Sequence, residues 1–119
     1  MQVDAKIIWK LCFLIWTVFV TFLSLMPLNS NSVEIFPHFD KLVHGIFYAV
    51  MSFLLAKSMI RKSVPNSLVA LIFSASYGIF MEVMQQTLGA GRHFDNFDII
   101  ANIIGALIGT TFFYSLGSK

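Results

Sequence analysis

The chain has 119 residues, 57% of them hydrophobic and only 12% charged, with thirteen Phe and a mean hydropathy of +0.79. A soluble domain is roughly 45–50% apolar and about one quarter charged, so this composition excludes an ordinary water-soluble protein and points to the membrane. The net charge of +2 comes without a basic cluster or interleaved aromatics, which argues against nucleic acid, and the single cysteine, Cys12, cannot form an intramolecular disulfide.

At about 20 apolar residues per span plus short loops, the length accommodates four helices. The expected fold is therefore all-α: one transmembrane domain over 1–119, a four-helix bundle with spans at 7–26, 40–59, 67–86 and 95–116. In the first segment Lys10 can snorkel to the interface beside Trp9. Its apolar stretch is bulkier and longer than a signal-peptide core, and no A-x-A-like site follows, so a retained helix is expected. Pro27 closes it, and an Asn- and Ser-rich loop containing Pro37 leads to the second segment, where Asp40 is placed to cap the helix. A charged turn, 61–66, separates the second and third segments, and a loop with two glycines, 87–94, leads into the fourth.

Four passes put Lys6, Lys10, Lys57, Arg61, Lys62 and Lys119 on one side of the membrane and only Lys41 and Arg92 on the other. The positive-inside rule makes the first side cytoplasmic and predicts that both termini lie there. The polar residues of three segments then meet at the opposite, extracytoplasmic face. Asp40, Lys41 and His44 open the second, Glu82, Gln85 and Gln86 close the third, and Arg92, Asp95, Asp98 and Asn102 open the fourth.

Several of these residues sit a turn or more inside the bilayer, where a charged side chain costs at least about 2.5–3.5 kcal/mol. They are expected to face one another. In the fourth segment Asp95, Asp98, Asn102, Gly105 and Gly109 recur at intervals of three and four and so share one face, polar above and glycine-smooth below. Ala75, Gly78, Glu82 and Gln85 repeat the pattern in the third, and His44 and Tyr48 lie one turn apart in the second. The first segment has no polar stripe and is expected at the periphery.

Three uses suit such a pocket. Asp40, Lys41, His44, Glu82, Gln85, Arg92, Asp95, Asp98 and Asn102 could bind a headgroup, with Arg92 as a bidentate anion anchor. They could instead form a structural network that holds three helices in register. Catalysis would pair His44 with Glu82 as base and orienter, with Arg92 stabilising an anionic transition state. A metal bound by His44, Glu82 and Asp98 is conceivable, but there is no H-E-x-x-H, no cysteine pair and no ligand spacing within one helix, and no G-x-S-x-G. The reading adopted is binding without a metal or cofactor, with catalysis the alternative; His93 is read as a solvated neighbour.

Asp40-Lys41-x-x-His44, Tyr48, Glu82-x-x-Gln85 and Gly91-Arg92-x-Phe94-Asp95-x-x-Asp98-x-x-x-Asn102-x-x-Gly105-x-x-x-Gly109, preceded by Leu23-Ser24-Leu25-Met26-Pro27, resemble the VanZ-like membrane protein family. One departure is Ala90, where many members carry proline. The resemblance implies a small multi-pass protein of the bacterial inner membrane, and its founding member is associated with lowered susceptibility to the glycopeptide teicoplanin. It implies no established reaction. The expected partners are membrane lipids or lipid-linked cell-wall precursors. An amphiphilic antibiotic also suits the pocket, no nucleic acid is expected, and a homo-oligomer is compatible with the sequence.

Overall fold

A computed structural model of the protein describes residues 2–25, 39–59, 64–88 and 96–116. These form α1 (Gln2–Leu25), α2 (Phe39–Ser58), α3 (Val64–Leu88) and α4 (Asn96–Leu116), and no strand occurs among the described residues. The all-α class follows from runs of Leu, Ile, Phe and Ala long enough that, in lipid, only intrahelical bonds satisfy every backbone group. α2 begins at Phe39, so Asp40 falls inside the helix and does not cap it; a shift of one residue at a helix end is within the ordinary spread of helix boundaries.

Three helices are long and apolar enough to cross a membrane: α1 over Ile7–Leu25, α3 over Ser67–Thr87 and α4 over Asn96–Leu116. The chain is a membrane protein on this ground. α2 is not among the three, although its 20 residues would reach about 30 Å, the thickness of the hydrocarbon. It carries Lys41 and His44 at one end and Lys57 at the other, and it packs against all three other helices. A helix surrounded by protein needs less apolar surface than one facing lipid.

Neighbours in sequence run antiparallel, and α2 and α4 run parallel. The α2–α4 pair is packed backbone to backbone. A Cβ built on Gly105 would lie 2.1 Å from the Gly45 carbonyl oxygen, and one on Gly109 would lie 2.1 Å from that of Ala49. Gly105 and Gly109 therefore do what small residues do in lipid, admitting a second backbone to close range. The sequence reading identified this face on α4; its counterpart on α2, formed by Gly45, Ala49 and Ser52, is seen only in the structure. Ser52 Oγ donates across the contact to the Ala106 carbonyl oxygen at 3.0 Å.

α1 is the least enclosed of the three candidate spans: 11% of its apolar window is buried, against 28% in α3 and 33% in α4. It is nevertheless pinned by polar contacts. Trp16 Nε1 donates to the Phe47 carbonyl oxygen at 2.9 Å, and the Thr21 and Tyr77 hydroxyls are hydrogen-bonded to each other. Val20, Tyr48 and Met51 form a core beside them, and a second core of Ala56, Ala70 and Phe113 lies towards the other end. At that end Lys57, in the last turn of α2, lies 4.9 Å above the Trp9 ring and offsets the helix's negative terminus. The outward surfaces are apolar, with Ile15, Val18, Phe22 and Phe97 all exposed.

Candidate functional site

The N-terminal turns of α2 and α4 and the last third of α3 meet at one end of the bundle. His44, one turn into α2, is the hub. Its Nδ1 lies 3.3 Å from Asn102 Oδ1 and 3.9 Å from Glu82 Oε2, while its Nε2 lies 3.9 Å from Asp98 Oδ2. Lys41 Nζ, one turn earlier, pairs with Asp98 Oδ1 at 3.1 Å. The expected convergence of three helices is thus observed for Lys41, His44, Glu82, Asp98 and Asn102.

Local structure explains the placement. Asp98 lies in the first turn of α4, where the helix dipole favours a carboxylate. Asn102 follows one turn later on the same face and fits because position 78 on α3 is glycine: a Cβ there would lie 2.9 Å from the Asn102 Cβ. Glu82, one turn beyond Gly78, then projects beside His44 with a relative exposure of 1%, as does Asn102. In so dry a place a carboxylate persists only with charged or hydrogen-bonding neighbours. Tyr48, one turn below His44, is equally buried, and its hydroxyl has no hydrogen-bond partner among the described residues.

Gln85 takes a different direction. Its Nε2 donates to the Ser24 carbonyl oxygen at 2.7 Å, which ties α3 to the end of α1. Gln86 is exposed. Asp40 lies on the described backbone of α2, whereas Arg92, His93 and Asp95 lie outside the described residues. The anion anchor expected from the sequence thus lies outside the described residues; among those described, Lys41 is the cation beside the cluster.

Beside the cluster, on the outer face of the α2–α4 contact, lies a groove of about 360 Å³. Leu42, Gly45, Ile46, Ala101, Ile104 and Ile108 line it, and Lys41 stands at its head. Its walls are apolar, and Gly45, Ala49 and Gly105, with at most a methyl group each, leave space between the flanking isoleucines. The Lys41 side chain is 23% exposed, and its ammonium group touches the Asp98 carboxylate.

Fold and site together define a helical membrane protein with an ionisable cluster enclosed by three helices. The VanZ/LLP1 family model matches residues 6–117, nearly the whole chain, and the protein belongs to that family. No curated protein and no solved structure matched.

Proposed function

We propose that this protein crosses the bacterial inner membrane four times, with both termini cytoplasmic, and binds an envelope lipid, a lipid-linked cell-wall precursor or a comparable amphiphile at its extracytoplasmic face. The observation that carries the reading is the apolar groove running along α2 and α4 from Lys41, the same residue that pairs with the enclosed cluster. An acyl or prenyl chain suits the groove. A phosphate suits the positive charge of Lys41 beside the groove. Arg92, the anion anchor expected from the sequence, is proposed as a second anion contact, with Asp40 and Asp95 among the binding residues.

Native mass spectrometry of protein released from lipid nanodiscs tests this. The wild-type chain retains about one anionic phospholipid or undecaprenyl-type phosphate, whereas Lys41→Met and Ile104→Trp, which blocks the groove, each lose most of it. Equal retention by all three folded proteins would count decisively against the groove. If the bound amphiphile is a cell-wall precursor, expression of the chain alters the susceptibility of a bacterial host to teicoplanin and Lys41→Met does not.

One observation favours a second reading, a hydrolase or transferase acting on a lipid-linked substrate. His44 stands between two carboxylates, an arrangement that suits proton transfer. That reading requires turnover of a phosphate- or ester-bearing envelope lipid, lost in His44→Ala protein that still binds the lipid.

A further inference from the structure

We propose that His44, Glu82 and Asp98 form a divalent metal site of the nitrogen- and oxygen-ligated kind that takes Zn²⁺ or Mn²⁺, with α2, α3 and α4 each contributing one residue. One ligand atom from each residue can be chosen so that all three lie within 4.8 Å of one another. Ligands held about 2.0–2.2 Å from a common ion are roughly 3–4.4 Å apart, depending on the angle between them, so small side-chain rotations close the set. The imidazole is also too far from either carboxylate for a charge-assisted hydrogen bond, while Asp98 keeps its 3.1 Å pair with Lys41. Both imidazole–carboxylate separations are 3.9 Å, whereas charge-assisted hydrogen bonds are about 2.7–2.9 Å long.

The neighbours orient the set as outer partners of metal ligands do. With Asn102 Oδ1 accepting from Nδ1–H, the His44 lone pair is on Nε2, the nitrogen that faces Asp98. A lone pair facing a carboxylate is repulsive unless a proton or a cation lies between them. Tyr48 is the second sign. Its hydroxyl, one turn from His44, is enclosed and has no hydrogen-bond partner among the described residues. An enclosed hydroxyl without a partner is the kind of group that a bound ion's ligand or water would satisfy. The ligand chemistry matches: imidazole suits Zn²⁺, carboxylates suit Mn²⁺, and the mixed set accepts either. Because the ligands come from three helices, the spacing motifs of single-helix metal sites could not have revealed it.

This inference is independent of lipid binding. The test uses the full chain in detergent, freed of phospholipid and stripped with chelator, then equilibrated with Zn²⁺ or Mn²⁺ alone and desalted. Elemental analysis should find about one equivalent of metal in the wild type and less than one-fifth of that in folded Glu82→Gln and Asp98→Asn, and the bound ion should raise the wild-type melting temperature. A wild type that retains no ion, or variants that retain as much as the wild type, would overturn the site. Should the variants not fold, X-ray absorption on the zinc-loaded wild type decides. One imidazole with oxygen ligands is expected, and a shell with no imidazole, or with two, contradicts it. Lipid retention measured in chelator reports separately on the groove.

Discussion

Gln85 lies three residues after Glu82 on α3, yet its amide serves another purpose. The Ser24 carbonyl belongs to the last described turn of α1, where carbonyls commonly need a donor from outside the helix. Gln85 supplies that donor from a neighbouring helix at 2.7 Å, in a place where water is scarce. Gln85→Ala should therefore cost about 1–3 kcal/mol, the usual penalty for a buried carbonyl left unsatisfied. Gln85→Glu should cost more, because it sets a carboxylate against a carbonyl at the negative end of a helix. Denaturant unfolding in mild detergent measures both, and lipid retention should be unchanged in whatever fraction remains folded. The sequence placed Gln85 among the pocket residues because a spacing of three shares a helix face. Spacing gives the face of one helix, but it does not say which of two neighbouring helices that face meets.

At the scale of elements, the parallel α2–α4 contact holds the site together, and its tolerance is set by missing atoms. Gly105→Ala puts a methyl carbon 2.1 Å from the Gly45 carbonyl oxygen, and a backbone atom cannot yield as a flexible side chain can. The helices must separate, carrying Asp98 and Asn102 away from His44. A loss of about 3 kcal/mol or more is expected, at or beyond the upper end of ordinary overpacking. Ile108→Ala, on the same helix but 59% exposed, should change stability little. Thermal unfolding followed by size-exclusion chromatography distinguishes the two outcomes.

Much of this level was legible in the sequence. Apolar run length located all four helices, and the recurrence of Asp98, Asn102, Gly105 and Gly109 at helical spacing identified the α4 face before its partner was known. The partner was harder to read, because Gly45, Ala49 and Ser52 are small residues in a stretch otherwise dominated by Phe, Val and Leu. The attachment of α1 was hidden for a related reason: one indole, one hydroxyl and one carbonyl make no stripe.

For the whole molecule, the decisive quantity is the cost of placing ionisable groups in hydrocarbon. Glu82 and Asp98 are affordable there because three helices enclose them and Lys41, His44 and Asn102 surround them. The proposed topology rests instead on the lysine and arginine asymmetry of the sequence. With Cys12 replaced by serine, a cysteine at position 90 should react with an impermeant maleimide in intact cells, and one at position 118 should react only after lysis. The reverse pattern would invert the molecule and put its cluster at the cytoplasmic leaflet.

The central claim is that the polar ends of α2, α3 and α4 act as one coupled unit within the membrane. A double-mutant cycle on unfolding free energy with His44→Ala and Glu82→Ala, each alone and together, measures that coupling most directly. An interaction energy of about 1 kcal/mol or more is predicted, as for residues that share one network. Additivity to within about 0.3 kcal/mol, the behaviour of distant and independent sites, would contradict it.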